Sequence, residues 1–196
     1  ALVCTESAMP KAPETFQAVL DVGLAISLND GTGDFSLGNA PAGGNNRTYS
    51  GVELADLDGD GDLDAFVGNY NQENQVLLND GSGNFSLGAT PAGGAQPTLE
   101  VSLADLDGDG DIDAFVGNDG GANQILLNDG TGLFTSGIVP EGGALSSYGQ
   151  AVGDVDGDGD LDAIVGNLSG SNQTLINQGG AQGGVAGDFD LGIVPE

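Results

Sequence analysis

A nine-residue acidic run, Asp-x-Asp-Gly-Asp-Gly-Asp-x-Asp, begins at Asp56, Asp105 and Asp154 of this 196-residue chain, in two equal steps of 49. A fixed period of that length dictates one small unit built several times, each copy burying its apolar face against the next. Other landmarks keep the same beat. Leu28-Asn29, Leu78-Asn79, Leu127-Asn128 and Ile176-Asn177 follow one another by 50, 49 and 49 residues. Phe35, Phe85, Phe134 and Phe189 each end a Gly-x-Phe, and Pro41, Pro91 and Pro140 each precede x-Gly-Gly, with Pro195 as a fourth proline in the series.

One copy, residues 98–146, serves as the pattern. Residues 99–104 alternate and read as a strand; 105–113 are the acidic loop; 114–117 (Ala-Phe-Val-Gly) are a short apolar run, buried on both faces. Residues 124–128 (Gln-Ile-Leu-Leu-Asn) are a third strand, Asp129-Gly130-Thr131-Gly132 a tight turn, and 134–139 a fourth strand that stops at Pro140. Helical spacing is nowhere sustained, and 37 glycines punctuate the apolar runs. Four short antiparallel strands per ~49 residues is the pattern of a propeller blade. The expected fold is therefore all-β: a propeller-like array of about four blades of four-stranded antiparallel sheets, the first incomplete. The expected organisation is an N-terminal arm over residues 1–14 and a repeat domain over 15–196, with repeats at about 15–47 (degenerate), 48–97, 98–146 and 147–196.

The acidic run supplies oxygen ligands in the order of a calcium loop. Positions one, three and five are Asp56, Asp58 and Asp60; position six, Gly61, lets the chain turn; position seven, Asp62, offers its carbonyl; position nine, Asp64, closes the loop. The same roles fall to Asp105, Asp107, Asp109, Asp111 and Asp113, and to Asp154, Asp156, Asp158, Asp160 and Asp162. The plainer alternative is a solvated acidic hairpin, but five carboxylates in nine residues repel one another unless a cation screens them. About three calcium ions per chain are expected. Magnesium prefers octahedral, water-rich sites, and zinc and copper are disfavoured by an all-oxygen set in a chain with no His.

The run Leu-Ala-Asp-Leu-Asp-Gly-Asp-Gly-Asp-Leu-Asp-Ala-Phe-Val-Gly-Asn, followed by Asn-Gln-Val-Leu-Leu-Asn-Asp-Gly-Ser-Gly-Asn-Phe, resembles the FG-GAP/VCBS-type repeats of integrin α-subunit propellers and bacterial surface proteins. The resemblance covers residues 48–196 well and 15–47 partly. It implies that each loop joins the first two strands of a blade and holds one calcium through the fifteen Asp residues named above. Such propellers usually close seven blades, whereas this chain has material for about four.

The first repeat departs from the pattern. Residues 15–20 look like the opening strand of a unit, yet Leu28-Asn29 follows too soon for an acidic loop and its adjoining strand to fit. Either a degenerate capping blade starts the array, or the gap is filled by a strand from another subunit. Head-to-tail self-association by strand exchange is thus one expectation.

Charge narrows the function. Thirty acids against Lys11 and Arg47 give −28, which repels nucleic acid and anionic membranes. Fifteen of those 30 acids lie in the three loops, a concentration unlike the spread of a disordered polyanion. A single cysteine, Cys4, excludes an internal disulfide, and no apolar stretch approaches the ~18 residues of a membrane span. No leader is legible, and a chain opening on Ala1 fits a processed secreted protein. Without His there is no Ser-His-Asp or Cys-His pair, so no enzyme is expected. What remains is an extracellular, calcium-rigidified structural module that builds a fibre or surface layer, or alternatively a calcium-dependent adhesin for a surface glycan or protein, with Tyr70 and Tyr148 as its aromatic candidates.

Overall fold

In the computed structural model, residues 2–5, 26–29, 31–38, 49–179, 185 and 187–192 are described, and among them every regular element is a strand. Most of the expected arm (1–14), the strand read at 15–20 and residues 180–184 and 186 of the last repeat lie outside the described residues. The fold is the all-β, propeller-like repeat array that the period implies.

Three complete blades follow one another, each a meander of antiparallel neighbours. The first is β4 (Tyr49–Ala55), β5 (Asp64–Gln72), β6 (Gln75–Asn79) and β7 (Phe85–Leu87). The second is β8 (Gln96–Ala104), β9 (Asp113–Asn118), β10 (Gln124–Asn128) and β11 (Phe134–Ser136). The third is β12 (Ser147–Gly153), β13 (Asp162–Asn167), β14 (Gln173–Asn177) and β15 (Phe189–Leu191). Equivalent pairs keep equivalent registers: Ala55 opposes Asp64, Ala104 opposes Asp113 and Gly153 opposes Asp162. Each acidic run is thus the connection between the first two strands of a blade.

Ahead of them lies a partial sheet, β1 (Leu2–Thr5), β2 (Ile26–Asn29) and β3 (Phe35–Leu37). Hairpin β2–β3 is the fourth copy of the outer hairpin, and Leu28 joins the cluster of Ala65, Val67, Leu77 and Phe85. Beside β2, where a complete blade has its second strand antiparallel, β1 of the same chain pairs in parallel, Leu2 opposite Ile26 through Thr5 opposite Asn29.

Alternation puts the two faces of β5 and of β9 into two different cores. Phe66 and Val76 point forward into a cluster with Val101, Val116, Leu126 and Phe134 of the next blade. Ala114 and Val116 point back into that cluster, while Phe115 and Ile125 point forward to Val165, Leu175 and Phe189. This two-sided burial explains why residues 114–117 read as a continuous apolar run. Phe134 meets Phe66 edge-on at 5.2 Å between ring centroids, and Phe189 meets Phe115 at 5.8 Å. Edge-to-face pairs of this kind add about 0.5–1.5 kcal/mol to the burial itself.

One departure from four-stranded units is visible. β5 runs past its blade, bends at Asn71 (φ 58°), and pairs with the start of β8, Tyr70 opposite Pro97 and Gln72 opposite Gln96. The first two complete blades thereby form one continuous sheet. In the next blade Asp119-Gly120-Gly121 turns the chain away at the corresponding place, and β9 ends at Asn118.

Candidate metal centres

The local fold of each loop follows from its Asp and Gly pattern. The first carboxylate accepts two backbone N–H groups across the turn: Asp56 Oδ1 from Gly59 at 2.8 Å and Oδ2 from Gly61 at 3.0 Å. Asp105 does the same with Gly108 and Gly110, and Asp154 with Gly157 and Gly159. Asp58 accepts from the N–H of Asp60, and Asp60 from that of Asp62, forming successive Asx turns. Both glycines of the motif take positive φ (77° and 95° at Gly59 and Gly61), a region that L side chains enter at a cost. Position four therefore needs Gly as much as position six.

Folding brings three of each five carboxylates together. Ligand oxygens of Asp56, Asp58 and Asp64 lie within 4.8 Å of one another, as do those of Asp105, Asp107 and Asp113, and those of Asp154, Asp156 and Asp162. The remaining two in each loop fall outside those triads but stay close to them: Asp60 and Asp109 act on the carboxyls of Asp64 and Asp113, and Asp160 feels the charges of Asp154, Asp156 and Asp162. Asp60, Asp109 and Asp158 each hold the following turn through one oxygen. Asp62 and Asp111 lie against Gly81 and Gly130 of the outer hairpin turn in the same blade, where a Cβ would collide with the carboxylate. The absence of a side chain at these glycines lets loop and hairpin approach that closely.

The ninth-position acids have a second task that their spacing does not announce. Asp64 is fully buried and accepts from the N–H of Leu57 (2.9 Å) and of Asn79 (2.8 Å), tying loop to third strand. Asp113 accepts from Leu106 (2.9 Å) and Asn128 (2.9 Å), and Asp162 from Val155 (2.8 Å) and Asn177 (2.9 Å). Burial raises the Asp113 carboxyl from 3.8 to about 6, against the lowering effect of its two amide donors. Asp64 is raised for the same first reason. A carboxylate that is buried beside other carboxylates and still accepts two amides has lone pairs left for a cation.

Asn79, Asn128 and Asn177 complete the arrangement. Asn79 and Asn128 each hold a glycine N–H of the outer turn, Gly83 and Gly132, and Asn177 holds that of Gly187. Their amides donate to Leu63, Ile112 and Leu161 in their own loops. Asn128 also donates to the Leu57 carbonyl of the preceding loop at 2.9 Å, and Asn177 to that of Leu106 at 2.8 Å, in each case 71 residues away. Leu57 and Leu106, the residues between the first two acids of a triad, are each 1% exposed in the inter-blade cores. The acidic loop is therefore a joint between blades as well as a turn within one. The only sequence signal for the clamp is the periodic recurrence of the Asn.

The donor set fits a hard cation. All the converging atoms are carboxylate oxygens, and Oδ2 of Asp158 and of Asp160 are buried with no hydrogen-bond partner. Buried acceptors left in that state are costly unless an ion satisfies them. Calcium, with 6–8 oxygens in a tolerant geometry, is the ion such a set suits; Asp56, Asp58 and Asp64 and their counterparts would hold it, and the charge it supplies would offset the repulsion among them.

At the opposite end of the strands, a different network crosses the blades. Tyr70 donates to Asp119 Oδ2 at 2.9 Å and Ser146 to Oδ1 at 2.6 Å, which holds the Asp119 carboxyl below its ordinary range. Tyr148 lies nearby and is half exposed.

The family comparison agrees with the geometry. The description "FG-GAP-like repeat" matches residues 13–67, 56–116 and 105–165, each later match opening on the first Asp of an acidic loop. No curated protein matches the chain. With the repeats covering residues 13–165, the chain belongs to the FG-GAP-like repeat family.

Proposed function

We propose that this chain is an extracellular calcium-binding structural module whose blades are rigidified by about three ions and which self-associates into a fibre or surface layer. The observation that carries the reading is the coupling of the first two Asp triads to the following blade: Asn128 and Asn177 grip the carbonyl between two clustering acids of the preceding loop. An ion held at such a joint stiffens the array as well as the turn. Loops of this oxygen chemistry in extracellular modules bind at about 10⁻⁴–10⁻³ M, a range matched by extracellular calcium. Among the acids outside the loops, Asp80 is engaged by Asn84 and Asp119 by two hydroxyls, which suits a structural role for those two.

The test is a calcium titration of the metal-stripped chain by calorimetry, with thermal melts in calcium and in chelator. About three ions per chain and a large fall in Tm on chelation are expected; an unchanged melt would overturn the reading. The adhesin alternative rests on the Tyr70–Asp119–Ser146 network beside exposed Tyr148, an aromatic and a carboxylate on one rim. Glycan binding by a strictly monomeric chain, abolished by Tyr148→Ala, would favour it over assembly.

A further inference from the structure

Both complete inter-blade junctions are made of the same parts. A Phe opening the outermost strand of the following blade stacks on an aromatic in the second strand of the preceding one, Phe134 on Phe66 and Phe189 on Phe115. An Asn of the following blade clamps a carbonyl in the preceding acidic loop, and the side chain at that loop position is sealed in the core. The backbone seals the edge, with Ala92 donating to the Phe134 carbonyl and Glu141 to that of Phe189, each at 3.0 Å.

The first hairpin and the last described blade each present half of this junction. On the last blade, Ile164 stands where Phe66 and Phe115 stand, and Val155 where Leu57 and Leu106 stand. Yet Ile164 is 47% and Val155 48% exposed, against 1% or less for their counterparts. On the first hairpin, Phe35 stands where Phe85, Phe134 and Phe189 stand and is 48% exposed, against 3% or less. Its turn is already in the junction geometry, Asn29 Oδ1 holding the N–H of Gly31 and Gly33. Residues 28–35 (Leu-Asn-Asp-Gly-Thr-Gly-Asp-Phe) differ from residues 127–134, which form a seated hairpin, only at Asp34. The exposed face of β12–β15 is thus shaped for a hairpin that the chain itself carries at its other end.

We propose that two copies of this chain join head to tail by blade stacking, with Phe35 of one copy seated on Ile164 of the other and Asn29 clamping the carbonyl of its Val155. This deepens the self-association in the reading above and rests on it, but it needs no exchanged strand, because β1 stays on β2 of its own chain. The contact is heterologous, so it closes a ring if the rotation permits and otherwise propagates. A second copy is the occupant because the continuity is with the chain's own internal interface, down to the sequence of the hairpin.

Sedimentation of the full chain in calcium tests this with Ile164→Asp, Phe35→Asp and their equimolar mixture. Both positions are exposed, so the variants should fold, and their calcium-dependent melts check that they do. The wild type should sediment as a dimer or larger, each variant as a monomer, and the mixture as a dimer through the one junction left intact. A monomeric wild type overturns the junction and the self-association together. A wild type that assembles while Ile164→Asp or Phe35→Asp assembles equally well overturns the junction alone, as does a mixture that stays monomeric. A calcium-insensitive melt with assembly intact would instead overturn the metal reading and leave the junction standing.

Discussion

The middle and last complete blades carry nearly the same loop, Asp-Leu-Asp-Gly-Asp-Gly-Asp-Ile-Asp against Asp-Val-Asp-Gly-Asp-Gly-Asp-Leu-Asp, yet they live in different surroundings. Leu106 and Phe115 of the middle blade are sealed under β12–β15, whereas Val155 and Ile164 of the last are about half exposed. Asp105 and Asp107 are half-buried, whereas Asp154 and Asp156 are exposed. The hydrogen bonds inside the two loops are almost superposable. The difference teaches that the motif sets the turn and the neighbouring blade sets how dry, and hence how stiff, the site is.

Removal of calcium should produce the largest effect and should reveal the difference directly. At calcium 100 times Kd each site contributes about 2.7 kcal/mol, so three sites contribute about 8 kcal/mol. In chelator, hydrogen exchange should show β12–β15 opening before β8–β11, because of these two only β8–β11 is covered on both faces. Simultaneous opening of both would break the comparison.

Core truncation comes next. Phe115→Ala should cost about 3–5 kcal/mol in urea denaturation, since it vacates a site packed on both sides. Ile164→Ala, measured on chain held monomeric by dilution, should cost under about 1 kcal/mol. Equal costs would mean that the last blade is covered in solution.

The clamp ranks third. Asn128→Ala leaves the Leu57 and Ile112 carbonyls and the Gly132 N–H without this partner and should cost about 2–3 kcal/mol. Asn29→Ala, at the end of the array, should cost about 1 kcal/mol or less by the same assay.

The most gradual effect is on pH. Asp113 titrates near 6 in the metal-free fold against 3.8 in an unfolded chain, so the fold binds the proton more tightly. That stabilisation is complete below about pH 4 and disappears as pH rises through 6. Metal-stripped protein should therefore show a falling urea midpoint between pH 4.5 and 7, and Asp113→Asn should flatten that part of the profile. In calcium the sign reverses, because protons compete for the same carboxylate and apparent calcium affinity drops below pH 6. A metal-free midpoint that rises across this interval would contradict the assignment of Asp113.

Much of this was legible in the residues. The 49-residue beat, the loop between first and second strands, the outer hairpin at residues 124–134 and the tight Gly turns all follow from local chemistry. Other features were not. The spacing places all five acids of a loop in one ligand series, but the side chains of Asp62 and Asp111 end against a glycine of the outer turn, and Asp64 and Asp113 accept a backbone amide on each of their oxygens while belonging to the triad. The bond from Asn128 to Leu57 joins atoms 71 residues apart, in different blades, and no short-range pattern encodes it. The β5–β8 pairing depends on a bend at Asn71 that alternation gives no reason to expect.

By itself the amino-acid sequence determined the unit: which residues alternate, where glycine must turn, and where carboxylates are dense enough to suit a cation. These are matters of backbone sterics and charge within a few residues. Tertiary structure alone decided which of three nearly identical loops is buried and which of four equivalent outer-strand Phe residues is exposed. Burial is a property of what lies on the other side, and a repeat writes the same face every time whether or not a neighbour covers it.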